Sequence, residues 1–518
     1  MLIRSRFILL ALCIASPTVV QAQEYFIAYD SLALPGYNIL PTDMGGVIVH
    51  NYIVNKTLPN TPQLSLYQLD NAGKVDWARV YHTRLGNDPA GALKPLTPET
   101  LRTGTDGSIF GAGGVALAPF SQTPVITKFS PDGKPAWSRT ISPENENGWL
   151  EDVLELSPDE ILVTGLFLRE SLLLKNNVAI ESDNRFQHDG RRVQFIGDFL
   201  AGITGDGTIS WVKGMEYDHG TLDRRFLFMQ DGKPWLAGIV EYEDRDTNEP
   251  LLLLSLGTEG TIERSEALYA NPTQPDGRLT SLQPHGAYSN GTYSILYGTF
   301  TERIPRRQDP AEPFTKRSYT KRQQSFLIKI DNRNRIVWSK TIRPYRLLNK
   351  FSLAVLPGSG DIILTSSDRN TPAMMIRLSS AGDLLESTFL AESMGTYPMA
   401  NKQPIPDPLV HYTINGITAT KPGNICGLCV LNKRVSEQNS GTDSEPALYY
   451  RSAVFQIAPD QGFHCGDTKP ISTEVEDFHV RREEFPVRSV PITTYRQSAL
   501  SIEAESLVIG QRNLCDEH

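Results

Sequence analysis

A glycine-centred turn, an apolar run, a connector and a second apolar run closed by another tight turn recur seven times along this chain. The second half of the unit is the clearest. It reads LSLYQLDNAGKVDWARVY, VITKFSPDGKPAWSRTI and FLAGITGDGTISWVKGM, then LLLLSLGTEGTIERSEAL, FLIKIDNRNRIVWSKTI and MMIRLSSAGDLLESTFL, and ends degenerate in VFQIAPDQGFHCGD. Asp-Gly and Asn-Gly between branched and apolar residues mark hairpins, because glycine accepts the positive φ of tight turns. The first hairpins turn at Asp43 to Gly46, Gly107, Pro158-Asp159, Gly232, Gly291, Ser359 and Gly423. The second hairpins turn at Gly73, Gly133, Gly207, Gly260, Asn334, Gly382 and Gly462. Asn334 fits this series, since asparagine tolerates the left-handed region. Trp77, Trp137, Trp211 and Trp338 each stand four residues past such a turn. A fixed aromatic in an outer strand predicts packing between adjacent sheets.

Two hairpins make one four-stranded antiparallel sheet, and seven such sheets hold too many strands for one open sheet. Radial arrangement buries both faces of each and leaves only short edges. The expected fold is therefore all-β, a seven-bladed β-propeller of four-stranded antiparallel blades. The blades fall at about residues 36–82, 98–142, 151–216, 223–268, 280–342, 350–390 and 409–468. The propeller spans 23–470, and a tail over 471–518 packs on it. That tail alternates weakly and is expected to add an outer strand or two. Either it or the N-terminal strand Tyr25 to Tyr29 closes the ring.

The motif Asp-Gly-x-x-x-Trp, outright in Asp132-Gly-Lys-Pro-Ala-Trp137 and Asp206-Gly-Thr-Ile-Ser-Trp211, resembles the β-propeller repeats of exported bacterial proteins. More distantly it is similar to quinoprotein-like propellers and to the outer-membrane assembly scaffold built on them. Blade one departs with Ala72 before its glycine, and blade five with Asn334 in its place. The resemblance covers about residues 36–470 and implies the fold; propellers host binding, scaffolding and catalysis alike.

Arg4 and Arg6, the apolar run from Phe7 to Ala15, and compact residues before Gln23 have the pattern of a cleaved signal peptide over 1–22. The apolar run is too short to span a bilayer, which needs about 20 residues. The expected address is exported, periplasmic or secreted, with no membrane span. The net charge of −9 becomes about −11 once the two arginines leave, which argues against nucleic acid as a general partner. Four cysteines survive that removal, Cys426, Cys429, Cys465 and Cys515. An even count in an exported chain reads as two disulfides. The preferred pairing is Cys426 with Cys429 and Cys465 with Cys515. Two other readings of Cys426-Gly-Leu-Cys429 are a redox dithiol and a zinc site shared with His464 and Cys465.

In a four-stranded meander the tight turns open on one face of the disc and the connectors on the other. The tight turns here are uniformly short, whereas the connectors are long and dissimilar, as in 169–195, 303–324, 432–446, 83–98 and 391–408. Long loops on one face of a rigid scaffold carry binding work. The blade-five connector is a basic arm, with Arg303, Arg306, Arg307, Lys316, Arg317, Lys321 and Arg322 against Glu302, Asp309 and Glu312. It suits an acidic partner, an anionic glycan or a lipid head group. The blade-four connector is its opposite: Glu241, Glu243, Asp244, Asp246, Asn248 and Glu249. Its oxygens suit calcium, but the spacing lacks the glycine-bearing order of a calcium loop.

No Gly-x-Ser-x-Gly elbow, His-Glu-x-x-His helix or phosphate-cradling loop occurs. His50, His188, His285 and His411 have no motif around them and read as packed or solvated residues. Neither catalytic residues nor a cofactor beyond a calcium option emerge. The leading expectation is a non-enzymatic monomer that engages a protein or glycan of the cell envelope through its loop-rich face. The alternative is a hydrolase or lyase with its site at the mouth of the central channel. A cluster of carboxylates or histidines there, with displaced pKa values, distinguishes the second from the first.

Overall fold

The computed structural model describes residues 25–513 except the connectors 55–61, 85–95, 171–185, 242–247, 272–278, 306–318, 345–350, 367–372, 392–409, 435–447 and 459–466 and a few shorter loop segments. The expected signal peptide, most of the basic arm, His464, Cys465 and Cys515 lie outside the described residues.

Seven antiparallel sheets form, one per repeat. The innermost strands are Ala33–Pro41, Leu96–Thr103, Asn147–Ser157, Thr221–Gln230, Leu279–Ser289, Phe351–Val355 and Val410–Ala419. Each touches the next, and the last touches the first, so the sheets close into a ring around a common axis. The molecule is a seven-bladed β-propeller. Among the described residues only a single 3-10 turn, Thr258–Gly260, is helical.

The turn chemistry explains how neighbouring blades register. Gly133, Gly207 and Gly260 have φ of 76°, 86° and 66°, and Asn334 has 57°, the region the hairpins require. Each of these three glycines also receives the tryptophan of the preceding blade. A Cβ on Gly133 would sit 2.5 Å from Trp77, one on Gly207 2.8 Å from Trp137, and one on Gly260 2.4 Å from Trp211. The Trp137 indole N–H donates to the Gly205 carbonyl at 2.9 Å, and the Tyr81 hydroxyl to the Gly133 carbonyl at 2.7 Å. The recurring tryptophan is thus a blade-to-blade contact. Blade four has Arg264 where the tryptophan would stand, and the turn of blade five meets it through a polar contact instead: Asn334 Nδ2 donates to Glu266 at 2.8 Å.

Two features depart from the sequence expectation. The fourth strand of blade seven is the N-terminal strand Tyr25–Asp30, one of the two segments expected to close the ring, and it takes the place assigned to the segment after Gly462. The tail also adds seven strands, not one or two. Asp467–Pro470 pairs on blade six, Thr473–Asp477 on five, Val480–Glu484 on four and Val487–Pro491 on three. Arg496–Ala499 pairs on blade two, Ser501–Ser506 on one, and Gly510–Asn513 on the N-terminal strand in blade seven. Each of the seven sheets is therefore at least five-stranded, and the tail runs backwards around the rim as a belt. The alternation of a belt strand is weak because a single added edge strand has no deep core to face.

Between strands the belt drops an apolar side chain into the seam it is crossing. Phe478 packs with the blade four–five core, Phe485 with three–four and Ile492 with two–three. Leu500 packs with one–two and Leu507 with seven–one. In each case the backbone N–H bonds a carbonyl of the blade just left, namely Ser339, Ser265, Val212, Ser138 and Ala78 in turn.

Candidate functional site

The inner strands of six blades break register at a similar depth: between Leu34 and Asn38, Pro98 and Thr100, Leu150 and Asp152, Asp223 and Phe226, Pro284 and Gly286, and Ile414 and Gly416. A bulge re-aims a side chain and is frequent next to active sites. In blades three and four the bulges present Glu151 and the pair Arg224-Arg225, and between them a charged cluster forms at the inner end of one seam.

Two donors converge on the Glu151 carboxylate, the Arg225 backbone N–H at 3.0 Å and the Trp149 indole N–H at 3.3 Å, and the Arg225 guanidinium forms an ion pair with it at 2.8 Å. Arg225 is buried and also binds Asp198, on the third strand of blade three, and the Leu222 carbonyl. Asp198 in turn accepts the Leu222 N–H at 3.2 Å. Arg224 is held at φ 52°, a left-handed conformation unusual for a non-glycine residue, and its side chain is half exposed. Asp223 precedes it, also half exposed. Burial first, and repulsion from Glu151 second, push the Asp223 carboxyl above the usual carboxylate range. It is the one axial carboxylate so displaced among the described residues.

Deeper along the axis, Arg102 of blade two grips Asp152 of blade three at 3.1 and 2.7 Å. The same guanidinium reaches the Leu227 carbonyl of blade four at 3.0 Å, while Asp152 accepts the Leu227 N–H at 2.7 Å. Tyr297 of blade five lies near enough for the Arg102 and Asp152 charges to act on its hydroxyl. The Arg102 guanidinium thus links the inner strands of blades two, three and four at this depth. Toward the connector face, where the inner strands begin, stand Asp223, Glu151, Arg224 and Trp149.

The residues singled out from sequence fare differently. Arg303 is engaged within the chain, its guanidinium 3.1 Å from Glu249 of the blade-four connector. The basic arm and the acidic connector therefore meet at this point. Lys321 pairs opposite Arg303 in the long hairpin Tyr293–Pro305 and Tyr319–Asp331, and Arg322 opposite Glu302. Arg306, Arg307, Lys316 and Arg317 lie outside the described residues. Cys426 and Cys429 are buried on the single strand Ile425–Arg434 and are not joined to each other, so the expected local bridge is corrected. Residues three apart in a strand sit on opposite faces about 10 Å apart, beyond disulfide reach. Cys426 packs in the blade seven–one seam, with Gln456 Oε1 3.3 Å from its sulfur. Burial pushes the Cys429 thiol far up, which is unsuited to a redox nucleophile. His50 is buried beside Tyr52, and His285 hydrogen-bonds Thr299 at 3.1 Å. No group of metal-ligating side chains occurs among the described residues.

Sequence reasoning missed Glu151, Asp223 and Arg225 because their proximity arises only when blades three and four abut. The faint signal was charge in inner-strand runs that are otherwise apolar, as in GWLEDVLEL and TLDRRFLFM.

The fold places the protein among the seven-bladed β-propellers. No family model matches the sequence, and no curated protein matches it significantly. Among solved structures it is similar to an ACO/RPE65 chimera, with 12% identity over 70% of this chain and 91% of that one and a TM-score of 0.33. An α-L-arabinofuranosidase from Fusarium graminearum matches at 9% identity over 82% of this chain and 97% of that one, TM-score 0.31. The exotype rhamnogalacturonan lyase YesX matches at 12% identity over 82% and 91%, TM-score 0.30.

Proposed function

We propose that this protein is an exported propeller enzyme, a hydrolase or lyase acting on a hydroxyl-rich substrate at the connector-side mouth of its axis. The observation that carries the reading is the pairing of unlike carboxyls. Glu151 is held by two donors and a cation, while Asp223 beside it is half exposed and holds its proton to higher pH. Neighbouring carboxyls in such different settings suit opposite halves of acid–base chemistry. Asp223 gives a proton to a departing oxygen. Glu151 remains the acceptor that faces developing positive charge or takes up a proton. Trp149 offers an aromatic surface for the apolar face of a sugar, and Arg224 a cation for an acidic group. Arg225 acts as a positioning residue, because it reaches the reaction only through Glu151.

The test is turnover of a panel of neutral and acidic polysaccharides by the purified protein, followed by reducing-end and ultraviolet assays. Asp223→Asn and Glu151→Gln each lower the rate by at least 100-fold with the fold retained by circular dichroism. Turnover unchanged in Asp223→Asn overturns this reading. A second reading, binding without catalysis, draws on the blade-five hairpin, whose strands run 13 residues each. It requires envelope partners to be lost when residues 306–318 are deleted, with Asp223→Asn without effect on their capture.

A further inference from the structure

The belt and the ring meet by a rule that repeats. From Thr473 onward one unit serves one blade: a short strand on the loop-side half of the blade's outer strand, then an apolar residue sunk in the seam. The sunken residues are Phe478, Phe485, Ile492, Leu500 and Leu507. They follow one another at intervals of seven or eight residues. Phe478 and Leu500 are 5% and 8% exposed, although the strands beside them are mostly open to solvent. Burial in the belt is therefore deepest at the seams, where belt-strand residues such as Val480, Val487 and Ile502 pack against the same cores. An edge strand offers its unpaired N–H and C=O groups to any extended segment, and the seam pocket beside it supplies the side-chain selection.

The last unit has a particular place. Gly510–Asn513 pairs with the free edge of the N-terminal strand, which is itself the outer strand of blade seven. The strand that closes the ring is thus held between two C-terminal segments. It leaves only after the belt has lifted from it. Blades six and seven, where the belt starts and ends, are neighbours, so the belt makes one nearly full turn.

We infer that the outer rim is a strand-binding surface in its own right, and that its occupant is the chain's own C-terminal segment. The segment docks unit by unit as a multivalent ligand and locks an already formed ring. Linked weak sites release slowly because each lifted unit rebinds before the next one opens. Affinity differences of this kind appear chiefly in the off-rate. The inference rests on the fold and is independent of the chemistry proposed at the axis.

The test uses the full-length protein with a protease site placed in 459–466, cut after folding. The severed tail is expected to stay with the ring through gel filtration. A fluorescent peptide of residues 467–518 exchanges into the cut protein over hours. The same peptide carrying Phe485→Ala, Ile492→Ala and Leu500→Ala dissociates at least about 100-fold faster, as three lost anchors imply. The ring is wild type in both arms, so misfolding of a variant does not enter. Loss of the tail during filtration with the ring still folded, or equal dissociation of the two peptides, overturns the inference.

Discussion

The seam between blades three and four is held in opposite ways at its two ends. Near the axis it is fastened by charge, with Arg225 buried between Asp198 and Glu151. At the rim Phe485 of the belt packs against the apolar core shared by blades three and four. Apolar contact tolerates drift and gains from burial alone, whereas a buried guanidinium is stable only with every partner in place. The rim is built to stay shut. The axis fixes the geometry of a few polar groups at a cost, which is the pattern of a site rather than of a fastener.

Breaking each end in turn measures that difference. Arg225→Ala strands two carboxylates in the seam and is expected to cost about 3–5 kcal/mol, read as a fall in the denaturant midpoint. Phe478→Ala leaves a gap at the four–five seam and costs about 3 kcal/mol, with the axial site intact. If the proposed activity survives Phe478→Ala at temperatures where the variant is folded, and Arg225→Met remains folded but inactive, the division of labour holds. Equal loss of activity in both merges the two ends into one structural unit.

The fold was legible because each local signal named the same architecture. The turn glycines, the apolar runs and the placement of Trp77, Trp137 and Trp211 against the next blade's Gly133, Gly207 and Gly260 agree with one another. The number of sheets followed from the number of turns. The belt was much less legible. Its strands are four to six residues long, and its anchoring residues are spaced for seams, a period that belongs to neither helix nor strand. Phe478, Phe485 and Ile492 at seven-residue intervals were visible but had no assigned meaning until the ring supplied one. The axial cluster was not legible, since Glu151 and Arg225 are 74 residues apart and meet only through the bulges.

The belt also bears on the cysteines. The described ends of the belt, Asp467 on blade six and Asn513 on blade seven, sit on neighbouring blades, and Cys465 and Cys515 are two residues beyond each. Non-reducing peptide mapping is expected to join Cys465 to Cys515 while Cys426 and Cys429 remain alkylatable after unfolding. Chain-entropy arithmetic for a loop of this length gives about 4 kcal/mol, so a reductant lowers the midpoint by a comparable amount. A mapped Cys426–Cys429 bridge, or four free thiols, contradicts this.

Titration gives the finest separation of scaffold from site, because their signs are opposite. Burial holds His50 of blade one down to about 3, below its unfolded value near 6.5. Its contribution is therefore fully present above pH 6.5 and is lost as pH falls toward 3. Lowering the pH from 7.5 to 5 costs about 2 kcal/mol, and His50→Gln flattens that slope. Asp223 runs the other way. Its folded pKa is raised, so its contribution is greatest below the unfolded carboxylate value and is lost as pH rises through the folded one. At pH 7.5 Asp223→Asn is thus expected to stabilise the protein, by less than about 1 kcal/mol because the side chain is half open to water. A residue kept at the expense of stability is one selected for something else, and the same substitution is the one expected to abolish turnover. Thermal unfolding of Asp223→Asn at pH 5 and 7.5 reads this directly. A variant less stable than wild type at pH 7.5 would return Asp223 to the scaffold and leave the axis without its acid.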